Sequence, residues 1–305
     1  MRCLLPLLAL SVAGAQSSGY QASTAPTFKV DVRLVRLLVT VKNAAGDPVG
    51  SLDPPDFTVY DDGVPQEIAV FERQTAQPLS VSLLIDTSGS TGKDLRYETT
   101  SIQRFLKALV VDEGNARDAA ALYSFNYEVT LLTTFTRRMN RIEDSLRLLR
   151  PEGGTSMYDA IYLSSRELRG REGRHVVVIV TDGGDTTSSK KFRDALDAAQ
   201  LADAIMYPIV VVPIANDAGR NTGGEHALES LASGTGGRVF YPSVGASLDR
   251  AFADILRDLR TQYLIGYYPR NLPPDSPRFH LTRVEVKRKD LRVSTRTGYY
   301  GDALR

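Results

Sequence analysis

The spacing of apolar residues changes rhythm twice along the chain, and the changes divide it into three stretches. From Phe28 to Phe71 the period is two. Val30, Val32 and Leu34 alternate with polar residues, and Val35, Leu37, Val39 and Val41 continue on the opposite parity. The alternation predicts strands, and the parity flip predicts a bulge or sharp bend near Leu34-Val35. Asn43 to Asp47 reads as a turn, Phe57 to Tyr60 as a strand, and Asp61-Asp62-Gly63 as the turn that closes it. From residue 78 to 262 strands alternate with helices. Leu79–Ile85, Ala119–Phe125, Val129–Phe135, Val176–Val180, Ile205–Val212 and Arg238–Tyr241 read as strands. Ile102, Phe105, Leu106 and Leu109 fall on one helical face. So do Ile142, Leu146 and Leu149, then Phe192, Leu196 and Ala199, then Leu248, Phe252, Ile255 and Leu259. After Gln262 the period returns to two, predicting strands over Tyr263–Tyr268, Phe279–Lys287 and Leu291–Thr297.

Strands alternating with helices predict an α/β unit with a mostly parallel sheet covered on both faces. The two β segments, 28–75 and 263–300, are each too short to bury a convincing core alone. The economical arrangement is one small sandwich-like β domain built from both ends of the chain, with the α/β unit of residues 78–262 inserted between them.

The start of the chain carries a different signal. Met1-Arg2-Cys3 is a short basic beginning, Leu4–Val12 is almost wholly apolar, and Ala13-Gly14-Ala15 supplies a small-residue cleavage site before Gln16. Residues 1–15 therefore read as a secretory signal peptide and 16–27, rich in Ser, Thr, Ala and Gly, as a flexible leader. The apolar run is far short of the roughly 20 residues that span a bilayer, so no transmembrane segment is expected in the mature chain. Cleavage would remove the only Cys and leave the charges balanced. An exported chain without disulfides or Asn-x-Ser/Thr fits a bacterial periplasm, cell surface or secreted location. The 305 residues hold 37 Lys+Arg against 36 Asp+Glu, which argues against nucleic acid as a partner.

The candidate chemistry lies where strands end, the usual place for ligands in an open α/β sheet. The first α/β strand runs into Asp86-Thr87-Ser88-Gly89-Ser90, the segment Gly153-Gly154-Thr155-Ser156 precedes a helix, and Val176–Val180 runs into Thr181-Asp182-Gly183. Asp86, Ser88 and Ser90 set a carboxylate and two hydroxyls at alternate positions, Thr155 offers another hydroxyl, and Asp182 a second carboxylate. All are hard oxygen donors of the kind that suit Mg²⁺ or Ca²⁺. The plainer reading is that Asp86 and Asp182 only cap turns or helices.

The three motifs in this order resemble the von Willebrand factor type A (vWA) domain and its metal-ion-dependent adhesion site, over about residues 78–262. The resemblance implies a Rossmann-like fold in which Asp86, Ser88, Ser90, Thr155 and Asp182 hold one divalent cation, Mg²⁺ or alternatively Ca²⁺ or Mn²⁺, directly or through water. Thr87, Gly89, Gly154, Ser156, Gly183 and Asp185 would form the rim, with Thr186 and Thr187 beside it. The flanks, with Asp56-Phe57-Thr58-Val59, Asp61-Asp62-Gly63 and Ile265-Gly266-Tyr267-Tyr268, resemble exported bacterial vWA-related proteins.

Other chemistries lack their residues. A phosphate loop would need Gly at 87 and Ser or Thr at 94, where the chain has Thr87 and Asp94. No G-x-S-x-G surrounds Ser88, and His175, His226 and His280, the available bases, read as structural or solvated. The expectation is a non-enzymatic module that binds neither nucleotide nor nucleic acid, in which a partner protein's Asp or Glu completes the metal shell. The alternative is an envelope scaffold whose ion only stabilises the fold.

Overall fold

The computed structural model describes residues 34–73, 76–91, 95–112, 114–211, 222–271 and 278–301. The expected signal peptide and leader lie outside the described residues, as do Val30 and Val32 on one side of the expected bend. The first segment supplies β1 (Val35–Lys42), β2 (Phe57–Asp61), β3 (Val64–Gln66) and β4 (Ile68–Glu72). Then come β5 (Leu79–Asp86), α1 (Leu95–Lys107), β6 (Ala119–Phe125), β7 (Val129–Thr136), α2 (Met139–Leu146), α3 (Met157–Leu168) and β8 (Arg174–Thr181). The remainder of the α/β unit is α4 (Phe192–Leu201), β9 (Ala204–Val210), α5 (Thr222–Thr235) and α6 (Ala246–Thr261). The chain returns to strands with β10 (Tyr263–Tyr267), β11 (Phe279–Val286), β12 (Arg292–Ser294) and β13 (Gly298–Tyr300).

The α/β sheet has the order β7-β6-β5-β8-β9, with β5 in the centre. Its neighbours β6 and β8 run parallel to it, β9 is parallel to β8, and only β7, joined to β6 as a hairpin, is antiparallel. Every residue of β5, β8 and β9 is buried. That burial explains their nearly unbroken apolar runs: a strand covered on both faces has no solvent side to keep polar. Ile102, Phe105 and Leu106 of α1, Ile142 of α2 and Leu248, Phe252 and Ile255 of α6 pack on one face. Met157 and Ile161 of α3, Ala195 and Ala199 of α4 and Leu228 and Leu231 of α5 cover the other.

The two β segments interleave. One antiparallel sheet has the order β12-β1-β10-β4 and the other β13-β11-β2-β3. Each therefore mixes strands from both ends of the chain, with Val35 opposite Tyr267 and Val59 opposite Val284. Val35, Leu37 and Val39 share one buried cluster with Phe57, Val59, Tyr263, Ile265, Tyr267 and Tyr299. In chain order the α/β elements fall between β4 and β10.

Two expected strands come out differently. Arg238–Tyr241 is not a strand but a single bridge, Phe240 to Ile209. Phe240 N donates to Pro208 O at 2.9 Å and Val210 N to Phe240 O at 2.8 Å. The next rung would need a donor from Pro208, which has no N–H, so the ladder stops. Leu291–Thr297 is split: β12 pairs with β1 in one sheet, and β13, starting only at Gly298, pairs with β11 in the other. The chain crosses between sheets at Thr295–Thr297. A Cβ at Gly298 would lie 2.3 Å from His280 O, so only glycine permits this close approach. The second amphipathic helix also ends at Leu146, before Pro151, although Leu149 remains buried.

A chain truncated after Gln262 loses β10–β13, and with them both strand neighbours of β1 and the β11 partner of β2. Limited proteolysis should then cut residues 34–73 rapidly while the α/β unit persists. Protection of 34–73 equal to that in the full chain would contradict the interleaved pairing.

Candidate functional site

Strand β5 delivers Asp86 to the carboxyl edge of the sheet, between β6 and β8. Its carboxylate is fully buried. Oδ1 accepts Ser88 N at 2.8 Å and Oδ2 accepts Thr181 Oγ1 at 2.5 Å. The first bond closes a tight Asx-type turn that reverses the chain after the strand. Asp86 thus caps this turn, and the same turn brings the following hydroxyls back: Ser88 Oγ lies 3.1 Å from Ser90 Oγ. Thr91, whose hydroxyl donates to Ser88 O at 2.9 Å, fixes the far end. Thr87 turns away from the others, with its N–H on Phe125 O at 2.8 Å and its hydroxyl against Asn126 Nδ2 at 3.3 Å. Gly89 and Ser90 are exposed.

The second loop docks against the first through Glu152, whose N–H donates to Thr87 O at 2.8 Å and which bridges to Ser88. Gly154 has φ +82°, and a Cβ there would sit 3.1 Å from both Thr187 Oγ1 and Tyr127 Cα. A side chain is therefore strained on two counts, by conformation and by space. Thr155 follows, nearly buried, with its N–H donating to Thr186 Oγ1 at 2.9 Å and to Thr187 Oγ1 at 3.1 Å. Ser156 donates its hydroxyl to Tyr127 O at 2.9 Å and packs it 2.9 Å from Thr187 Oγ1.

The third loop leaves β8 at Thr181. Asp182 and Gly183 are half-buried, and Gly183 N donates to Thr181 Oγ1 at 3.2 Å. Asp185 Oδ1 accepts Tyr158 N at 3.1 Å and the Ser188 hydroxyl. That makes it a cap on the first turn of α3 as well as a neighbour of the rim. Direct contacts thus join Asp86, Ser88 and Ser90, while Asp182 acts on Asp86 through its charge. Thr155 is carried on a loop that the loop after Asp182 holds through Thr186 and Thr187. The motif reading missed the clamp itself. Thr186 and Thr187, placed by the sequence only beside the rim, hold Thr155, and Thr181, the last residue of β8, holds Asp86.

Burial pushes the Asp86 carboxyl up to about 6, the negative charge of Asp182 adds to the rise, and the Thr181 and Ser88 hydrogen bonds oppose it. Two carboxylates and three hydroxyls at one sheet edge, with one carboxylate desolvated and the other half-open, match the needs of a hard divalent cation. A cation there would offset the burial and, to a lesser degree, the Asp182 charge that disfavour Asp86 ionisation. Ser90 and Asp182 keep one side of the set open to solvent.

The sequence model of the von Willebrand factor type A domain matches residues 81–184. No curated protein matches the chain in sequence. Among solved structures, the chain is similar to the three N-terminal domains of the type V pili tip protein Mfa5 from Porphyromonas gingivalis, at 21% identity and TM-score 0.35. That match covers 51% of this chain and 27% of the Mfa5 fragment. The vWF domain of Mfa5 alone is matched at 14% identity over 59% of this chain and 94% of that one, with TM-score 0.45. The conserved hypothetical protein BatB from Bacteroides thetaiotaomicron is matched at 18% identity over 59% and 98%, with TM-score 0.48.

In chelator, the folded chain holds a proton on Asp86 between pH 3.8 and about 6 that the unfolded chain has lost. Metal-free stability therefore falls as pH rises through that window. Asp86→Asn removes the titration, so its stability relative to wild type should rise by about 2 kcal/mol between pH 4 and pH 7.5. Paired thermal melts measure this, and a gap independent of pH would contradict the assigned environment.

Proposed function

We propose that this chain, which carries a von Willebrand factor type A domain, is an exported, divalent-metal-dependent protein-binding module. Such domains are generally non-catalytic interaction modules. The observation that carries the reading is the donor set itself: Asp86, Ser88, Ser90, Thr155 and Asp182 on three loops at the carboxyl edge of one sheet. These five would hold one cation, Mg²⁺ first and Ca²⁺ or Mn²⁺ as alternatives. Two carboxylates neutralise a divalent ion but leave its coordination shell unfilled by strong donors. An Asp or Glu from a partner protein would fill it, and that contact would confer metal-dependent recognition.

The surface beside the site supports a protein partner. Tyr127 is exposed at the foot of the Gly154 turn and leads into an open groove of about 580 Å³, lined in part by Tyr162, Leu163, Arg166 and Lys190. Lys190 Nζ sits 4.7 Å from the centre of the Tyr162 ring and Arg166 Cζ 5.7 Å from it. The groove carries both signs of charge, Arg166 and Lys190 beside Glu128 and Asp159, around an aromatic and aliphatic floor. The pattern of residues 1–15 supports export, and among the described residues no helix is long and apolar enough to cross a membrane.

The test is capture of envelope proteins on immobilised chain in millimolar Mg²⁺. Bound partners should be released by chelator and absent from Asp86→Ala. Thr155→Ala, which removes a neutral donor, should weaken binding without abolishing it. Neutralising the critical acid on an identified partner should reproduce the effect of chelator. Partners held equally well in Mg²⁺ and chelator would instead favour the scaffold reading.

A further inference from the structure

The turn after β2 gathers a second set of donors, on different elements from the sheet-edge site. Asp62 and Gly63 form a two-residue hairpin connection with φ of +47° and +81°, the left-handed pair that such a turn requires. This backbone is clamped to β11. Asp62 N donates to Leu281 O, and Leu281 N donates to Asp62 Oδ1, each at 2.8 Å. With Oδ1 so engaged, Asp62 Oδ2 points at His280 Nδ1, 2.9 Å away. Asp61 repeats the arrangement. Its Oδ2 accepts Tyr267 OH at 2.9 Å and Tyr299 OH at 2.8 Å. Its Oδ1, on a fully buried residue, has no hydrogen-bond partner and faces the same His280 Nδ1 at 3.5 Å. The His280 ring is itself fixed, stacked on Tyr299 with centroids 4.9 Å apart and planes 13° from parallel.

Each carboxylate therefore has one oxygen tied back by the protein and the other aimed at one point, which a locked imidazole nitrogen also faces. The three donor atoms lie within 4.8 Å of one another. Around a tetrahedral ion with bonds of about 2.0–2.1 Å, neighbouring donors stand about 3.3 Å apart, and the separations from His280 Nδ1, 2.9 and 3.5 Å, bracket that value. The tyrosine hydroxyls and the Leu281 amide occupy the outer positions from which metal-binding carboxylates are usually oriented. A buried acceptor without a donor is costly, and burial pushes the Asp61 carboxyl above its ordinary range. A cation at this point would relieve both.

We propose that Asp61, Asp62 and His280 form a second cation site, taking a first-row divalent transition ion such as Zn²⁺, with water as the fourth ligand. Mixed imidazole and carboxylate donors suit that class of ion, whereas the all-oxygen sheet-edge set suits Mg²⁺ or Ca²⁺. His280 and Asp62 are each partly open to solvent, which leaves room for the water. The ion would tie the β2–β3 hairpin to β11 and, through the Asp61–Tyr267 bond, to the opposite sheet. It stands independently of the sheet-edge site.

The experiment is calorimetric titration of Zn²⁺ into the full chain carrying Cys3→Ser and Asp86→Ala, in excess Mg²⁺, so that neither the thiol nor the sheet-edge site contributes. About one ion should bind per chain, with a rise in melting temperature. His280→Gln should weaken binding by more than the about 10–100-fold typical of outer-sphere substitutions and remove the thermal rise. Asp62→Asn should do the same while keeping the turn, since Asn tolerates positive φ. Circular dichroism without zinc confirms that each variant is folded. No zinc uptake by the parent would overturn the site. So would uptake unchanged by both substitutions, which would place the ion elsewhere, for example at the exposed His226–Glu229 pair.

Discussion

A carboxylate sealed at the end of the central strand governs the rest of the α/β unit. Asp86 is fully buried where β5 meets the carboxyl edge, and it stays ionised at neutral pH only at a cost in desolvation and in repulsion from Asp182. Several nearby contacts reduce that cost. The hydroxyl of Thr181 on β8 and the amide of Ser88 donate directly to it. The turn they create presents Ser88 and Ser90. Glu152 then docks the Gly154 loop on the turn, and Thr186 and Thr187 hold Thr155. Three loops far apart in sequence are thereby fixed around one charge, and the proposed cation is the counter-charge that such a centre lacks.

The opposite end of the sheet is tied by buried polar contacts, one of which reaches β1. Arg174, buried at the start of β8, donates to Leu259 O at the end of α6 and to Gln77 O just before β5. Leu79 N donates to the buried Asp118 carboxylate at 2.7 Å. Lys42 of β1 and Arg238 share Asp258 of α6 at 2.7–2.9 Å, and α6 leads directly into β10, the partner of β1. The buried pairing of Lys42 with Asp258 adds little net stability after desolvation, but removing one partner would leave the other charge stranded. Its role is to fix how β1 and α6 meet.

Most of this architecture was legible in the chain. β5, β8 and β9 stand out because strands buried on both faces must be apolar throughout, and α1 and α6 because their apolar residues repeat every three or four. The Asp-x-Ser-x-Ser, Gly-Gly-Thr and Thr-Asp-Gly motifs pointed to one sheet edge because strand ends converge there. What escaped was set by tertiary contacts. Pro208 cuts short the ladder to Phe240 from a different segment of the chain, and the crossing before Gly298 depends on the close approach of His280. His280 itself reads as an unremarkable strand residue, since nothing local announces that Asp61 and Asp62, more than two hundred residues earlier, face it. Thr181 and Thr187 are likewise invisible as supports until the loops are folded together.

On the proposed reading, the five sheet-edge residues bind a cation that the folded chain needs for recognition. The most direct test of this reading is the thermal stability of wild type and Asp86→Ala, each with millimolar Mg²⁺ or with chelator. An ion that binds only the folded state adds about 2.7 kcal/mol at 100-fold above its dissociation constant. Wild type should show an increment of that order in Mg²⁺ and lose it in chelator, whereas Asp86→Ala should melt at the same temperature in both. An identical cation response in the two proteins, or none in either, would contradict the account.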